Sequence, residues 1–343
     1  MTLVAVPPFA WGELETPFFP GTVPNTVLDA NSEATAFVFQ APKTGTIDRV
    51  GFRTATVTTG DTVTVSLQTV DASTGNPTGT LAGTNTSATQ VVNAADDNVW
   101  FEVTLTAGAS VTRGDVLAFV VALPSSGSTG NMQITRGQTP FLTQFPYGSN
   151  FTGGAWAKTT QGAACKAVRY SDSTWPYTLG MTPIASAVGS FGQGNSFSSS
   201  STPDERGCKI TMPFPCKVSG SWHRGSGTTA GDYTMKLYDV SNTVLASKTF
   251  DGDFNPVIGG VVWQMFDTEV TLAAGDVVRL TKLPTTTTAT TLIDMTYPTG
   301  LASASPLGSS HVHTFRTDAG SWTDVTDKST LCGLIISALD NGA

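Results

Sequence analysis

The chain has 343 residues, of which 13% are charged and 39% hydrophobic, with a formal net charge of −8. No Lys/Arg cluster occurs anywhere, which excludes a nucleic-acid binder because neutralising phosphates takes concentrated positive charge; no apolar run reaches the ~18 residues of a membrane helix. Thr, Ser, Gly and backbone must therefore cover most of the surface, the habit of extracellular and particle-forming β-proteins rather than of helical enzymes.

At the N-terminus, Pro7, Pro8, Pro17, Pro20 and Pro24 interleave with Phe9, Trp11, Phe18 and Phe19. Proline blocks regular structure, while the aromatic rings carry more apolar surface than a free tail tolerates. Residues 1–36 are therefore expected to form an extended arm that docks on its own module or on a neighbouring subunit. The opening Met1-Thr2-Leu3-Val4-Ala5-Val6-Pro7-Pro8 lacks the basic and long apolar regions of a secretory signal, so export by a cleaved signal is not expected.

Residues 37–172 read as a first β-sandwich module. Phe37-Val38-Phe39 leads to Ala41-Pro42, and Gly60-Asp61 opens an alternating run through Val63, Val65 and Leu67. Apolar residues at every second position place one face of such a strand in a core and its hydroxyls outside. Asp71 to Pro77 supplies the Gly, Asn and Pro of a chain reversal. Trp100-Phe101 follows, then Gly114-Asp115 opens a run to Leu123-Pro124 that is apolar on both faces, the mark of a central strand; Trp156, Cys165 and Val168 close the module.

Residues 173–206, rich in Gly and Pro and ending in the serine run Ser198–Ser201, read as a linker. Residues 207–343 then repeat the landmarks in order: Ile210 and Met212 before Pro213, Gly231-Asp232 before Tyr233, Met235 and Leu237, Trp263, Gly275-Asp276 opening a run to Leu283-Pro284, and Trp322 before Cys332 and Ile335. A repeated series of this kind indicates duplication of one fold. Short strands at regular spacing with no helical periodicity give an all-β chain of two similar antiparallel sandwiches, jelly-roll or Greek-key in type.

Candidate chemistry is sparse. His311 and His313 share one face of a strand and could bind zinc or copper with Asp294 or Asp318, although two such ligands are a weak signal. His223 beside Trp222 could stack on a ligand, or the two could divide between core and surface. Asp96-Asp97 and Asp251-Gly252-Asp253 read as turns, with weak Ca²⁺ binding the alternative. Cys165, Cys208, Cys216 and Cys332 form no CxxC pair; buried thiols are one reading, a Cys208–Cys216 or Cys208–Cys332 disulfide the other. Trp100 with Trp263, and Trp156 with Trp322, recur at matched landmarks and are assigned to the shared framework. Phe145, Tyr147, Phe151, Trp175 and Tyr177 have no such match and are the candidates for a ligand or an interface, with packing of the linker as the alternative. No catalytic set, metal or cofactor is assigned.

The duplicated pattern, with Thr44-Gly45-Thr46-Ile47-Asp48-Arg49-Val50-Gly51-Phe52, the Gly-Asp strand starts and a hairpin tryptophan before the last strand, resembles tandem β-sandwich modules of tailed-bacteriophage virion proteins. The likeness covers roughly residues 37–170 and 207–340. It implies a non-enzymatic head-decoration, fibre or spike protein, often a trimer, assembled in the host cytoplasm with other virion proteins and attached to the particle by its N-terminus; the resemblance carries over no residue, and Phe9, Trp11, Phe18 and Phe19 are the interface candidates that the arm itself offers. The alternative is a carbohydrate-binding module that reads a surface glycan through Tyr147, Trp175 and Tyr177.

Overall fold

A computed structural model of the protein describes residues 25–135, 147–159, 166–174, 177–179, 190–212, 214–224, 231–250, 261–296 and 311–339. The expectations placed on Phe9, Trp11, Phe18, Phe19, Phe145, Trp175, Cys165 and Asp251 to Asp253 lie outside them. The described residues contain strands, turns and bends and no helix. The chain divides into two compact units, Met1–Tyr177 and Thr178–Ala343.

The first unit contains β1 (Thr26–Leu28), β2 (Ala34–Gln40), β3 (Gly45–Thr59), β4 (Asp61–Val70), β5 (Pro77–Leu81), β6 (Ser87–Val92), β7 (Trp100–Val111), β8 (Val116–Ala122), β9 (Asn131–Ile134), β10 (Tyr147–Thr152), β11 (Ala155–Thr159) and β12 (Lys166–Tyr170). One sheet runs β1-β9-β3-β12 with β7 also on β3; the other runs β11-β10-β2-β8-β4-β5 with β6 also on β4. Side chains of β2 and β8 are buried along nearly their whole length, as continuous apolar runs require, and Phe37 and Phe39 stack at 5.5 Å between ring centres.

The second unit contains β13 (Tyr177–Leu179), β14 (Ser190–Phe197), β15 (Glu205–Thr211), β16 (Cys216–Arg224), β17 (Tyr233–Tyr238), β18 (Val244–Phe250), β19 (Val261–Leu272), β20 (Val277–Pro284), β21 (Thr290–Thr296), β22 (His311–Arg316), β23 (Thr323–Val325), β24 (Lys328–Thr330) and β25 (Cys332–Leu339). Its sheets run β18-β17-β20-β15-β22-β23, β13-β25-β16-β19 and β14-β21-β24. The order β11-β10-β2-β8-β4-β6 thus recurs as β23-β22-β15-β20-β17-β18, the order β12-β3-β7 as β25-β16-β19, and the pair β1-β9 as β14-β21.

The repetition extends to individual hydrogen bonds at the corner between β7 and β8 and its counterpart between β19 and β20. Ala41 N donates to Asp115 O and Gly114 N to Ala41 O, each at 2.8 Å; Met212 N donates to Asp276 O and Gly275 N to Met212 O, also each at 2.8 Å. Thr112 N donates to the Asp115 carboxylate and Ala273 N to that of Asp276, both at 2.7 Å. Glycine stands at both corners because the backbone there is left-handed, with φ of 91° at Gly114 and 87° at Gly275.

Two boundaries differ from the sequence reading. The segment 1–36 read as an arm includes β1 and the start of β2, and Leu28 is fully buried. The segment 173–206 read as a linker supplies β13, β14 and the first two residues of β15. Its serine run is a closed turn, with Ser198 N donating to Ser201 Oγ at 2.9 Å and Ser199 N to Thr286 O at 3.0 Å. Composition hides such strands because ladder hydrogen bonds are made by backbone, whatever the side chain.

Candidate functional site

Aligning the units on their corners shows what replaces what. Val116 and Val277 follow the two corners, so Val121 on β8 corresponds to Lys282 on β20. Phe37 pairs with Phe119 as Cys208 pairs with Leu280. Gly45 pairs with Val111 as Cys216 pairs with Leu272, both strands then carry one register shift, and Phe52 meets Phe101 as His223 meets Val262. Phe37, Phe52 and Val121 belong to a hydrocarbon core; Cys208, His223 and Lys282 are equally buried. One strand order therefore surrounds an apolar interior in the first unit and an ionisable one in the second.

Lys282 is fully buried, with Nζ 3.7 Å from the centre of the Tyr233 ring, 3.2 Å from Thr291 O and 3.4 Å from His223 Nε2. Tyr233 OH lies 3.1 Å from the same imidazole nitrogen, and the Tyr233 ring stacks on Phe250 at 4.7 Å. Burial holds the Lys282 amine well below the usual lysine range. Burial first, and Lys282 second, hold His223 well below the usual histidine range. Neutral forms win because an unpaired charge loses more solvation here than one amine–imidazole contact returns. His223 Nδ1 has no partner among the described residues.

Cys208 on β15 and Cys332 on β25 belong to different sheets and meet between them, Sγ to Sγ at 3.0 Å, both fully buried. Burial and then the Cys332 thiol push Cys208 well above the usual thiol range. Of the two disulfide pairings considered from the sequence, the structure brings together Cys208 and Cys332 as thiols; Cys216 lies at the start of β16, opposite Leu272 and Leu339.

His311 and His313 face the same side of β22 and are buried. His311 Nε2 donates to Cys332 O at 2.9 Å, which leaves Nδ1 to accept from Ser329 Oγ; burial brings its pKa down to about 4. His313 Nδ1 lies 2.7 Å from Thr330 Oγ1 and 3.4 Å from Asp294. The two rings are thus engaged by hydroxyls, a carbonyl and one carboxylate, and Asp318 is exposed on a turn. Among the described residues no group of three His, Cys, Asp or Glu side chains is placed to hold a metal. The sequence identified the HxH face; it missed Lys282, Tyr233 and Glu205, whose roles come from strands distant in the chain. A lysine inside the β20 run, at the place of a valine in its repeat, was the available signal.

Beside this core, Arg316 Nε donates to Glu205 Oε2 at 2.6 Å and its guanidinium lies 4.3 Å from the Trp322 ring centre. Trp156 faces Phe151 at the corresponding hairpin of the first unit, 5.4 Å between rings, so these two tryptophans are matched. Trp100 and Trp263 are not in register: Trp100 pairs with Arg53 and lies over Gly51, whereas Trp263 pairs with Trp222, the counterpart of Gly51, two residues further along. Trp222 and His223 are both buried rather than divided between core and surface, because β16 is a central strand.

The remaining ligand candidates fall as follows. Tyr147 is buried; its hydroxyl donates to Gly75 O, Lys158 Nζ lies 4.6 Å from its ring centre, and burial pushes its pKa up to about 12. Its ring anchors the loop after β4 instead of facing a ligand, because strand pairing with Val38 directs it inward. Tyr177 lies on β13. Asp96 accepts from Asn93 N at 2.7 Å, the geometry of a turn cap, and Asp97 accepts from Val57 N on β3 at 2.6 Å, which ties the turn to that strand.

No family model matches the chain, and no curated protein matches it. Among solved structures, the chain is similar to the crystal structure of the infectious bursal disease virus VP2 subviral particle, with TM-score 0.19 and 11% identity over 93% of this chain and 82% of that one. The Gt strain of that virus matches with TM-score 0.20 and 11% identity over 94% and 83%. Scores this low do not establish a common fold.

Proposed function

We propose that the chain is a non-enzymatic structural protein of a virus particle that joins copies of itself, or neighbouring particle proteins, through residues 1–24. The observation that carries this reading is the repeated strand order in which the ionisable cluster of the second unit is turned inward: Lys282, His223, Tyr233, Cys208 and Cys332 are all closed off from solvent, with Lys282 and Tyr233 against His223 and the two thiols against each other. A fold that uses its reactive groups as filling is suited to bearing load and presenting surface. Few charges on a Thr- and Ser-rich exterior support the same role.

Within that role, the resemblance to tailed-phage modules favours a head-decoration, fibre or spike protein, trimeric and located on the virion. Phe9, Trp11, Phe18 and Phe19 carry the apolar surface that such a contact needs, and the interleaved prolines disfavour helix and sheet in this segment. The glycan-binding alternative is not adopted, since the ring of Tyr147 is turned into the unit.

Size-exclusion chromatography with light scattering of the full chain and of a chain lacking residues 1–24 tests the proposal. The full chain should be oligomeric and the truncated one monomeric, with the same strand signal in circular dichroism. A monomeric full chain, or an assembly state untouched by the truncation, would overturn it.

A further inference from the structure

We propose that Cys208 and Cys332 are a redox couple that closes into a disulfide linking the two sheets of the second unit. The pair is not adjacent in sequence, being 124 residues apart, and its meeting is a product of the fold. Cys208 sits mid-strand on β15 between β20 and β22, and Cys332 opens β25 opposite His223, so a bond between them ties one sheet to the other through the core. The thiols already touch at 3.0 Å, and both backbones are fixed on either side: Thr330 Oγ1 donates to Gly207 O at 2.8 Å and His311 Nε2 to Cys332 O at 2.9 Å. Closure therefore asks for little rearrangement of strands.

A base is at hand. Lys282 Nζ lies 3.4 Å from His223 Nε2, and Cys332 stands opposite His223 in the β16–β25 pair, which brings the buried amine into the same part of the core as the thiol. The Cys332 thiol passes its proton to the Lys282 amine, and the resulting thiolate attacks one sulfur of a small-molecule disulfide, forming a mixed disulfide and expelling one small thiolate. The Cys208 sulfur then attacks Cys332 Sγ, and the second small thiolate leaves. In sum, two protein thiols and one small disulfide become one protein disulfide and two small thiols, the protons passing to the leaving sulfurs. Since both thiols are fully buried, the small disulfide enters only when the second unit opens, and the rate of closure should follow that opening.

The test is incubation of the full-length protein with oxidised glutathione, with and without urea below the unfolding midpoint, followed by acid quench, alkylation under denaturing conditions and peptide mass mapping. The expected result is loss of two of the four thiols into one Cys208–Cys332 peptide, faster in urea, unaffected by Cys216→Ser and abolished by Cys208→Ala. The oxidised protein should unfold at higher urea than the reduced one. Lys282→Met should slow closure several-fold at neutral pH when rates are compared at equal distance below each protein's midpoint. Four intact thiols after incubation in urea, a glutathione adduct that never closes, a bond to Cys165 or Cys216, or an oxidised form no more stable than the reduced one would each overturn the proposal.

Discussion

Val121 and Lys282 occupy the same place in two copies of one strand order, each fully buried five residues beyond the first residue of its strand. Val121 pairs with Val65, and Lys282 with Met235. The fold tolerates an amine where its repeat has a hydrocarbon because β16 and β17 supply a ring nitrogen and a ring face to receive it. Lys282→Met should therefore raise the stability of the second unit, by about 1 kcal/mol, since a thioether fills the stem's volume without the desolvation of an amine. Urea unfolding followed by hydrogen exchange on peptides of residues 261–296 measures it; a lower midpoint would mean that the contacts to His223 and Thr291 outweigh desolvation.

His223 and His311 set a pH dependence in the second unit, and none of the chain's three histidines lies before residue 178. The pKa of His311 falls from 6.5 to about 4 on folding, so the folded state binds fewer protons than the unfolded one. Its contribution is fully present above pH 6.5 and is lost as pH falls toward 4, about 3 kcal/mol in all, and His223 acts in the same direction. Hydrogen exchange of the full chain across this window should show amides of β15, β20 and β22 losing protection while those of β2 and β8 keep theirs. Parallel loss in both units would refute the assignment.

Removing the negative partner of a buried guanidinium should cost most. Glu205 accepts from Arg316 Nε at 2.6 Å and from Thr281 Oγ1 at 2.5 Å, and both ionic side chains are buried. Glu205→Gln should destabilise the second unit by about 3 kcal/mol, since it leaves the Arg316 charge inside without its carboxylate. Thermal unfolding of the variant checks this, and a loss under about 1 kcal/mol would show that Tyr238 OH and the Trp322 ring suffice.

The two corners predict equal effects in different units. Gly114→Ala and Gly275→Ala meet no neighbour within 4 Å of the added Cβ, so each should lose only the left-handed backbone preference, about 1 kcal/mol. Unequal losses in denaturant titration would show that the shared hydrogen bonds carry different strain.

Tyr147→Phe should weaken the first unit by about 1 kcal/mol through the bond to Gly75 O, and Tyr147→Ala by about 3 kcal/mol or more through the cavity left behind. Neither should change affinity on a glycan array if the ring is purely structural; a selective loss of binding by the phenylalanine variant would restore the ligand reading.

Period-2 alternation in β4, the apolar run of β8 and the two Gly-Asp corners were legible in the chain, because strand faces and left-handed turns are local properties with local residue preferences. The landmarks suggested a repetition, but the recurring strand order came from the pairing of the strands, and one landmark pair, Trp100 with Trp263, falls two residues out of register. The meeting of Cys208 with Cys332, the burial of Lys282 against His223 and the inward turn of Tyr147 were decided only by tertiary structure. Register across two sheets chooses such neighbours from strands far apart in the chain, and a one-residue slip would have sent each side chain to the opposite face.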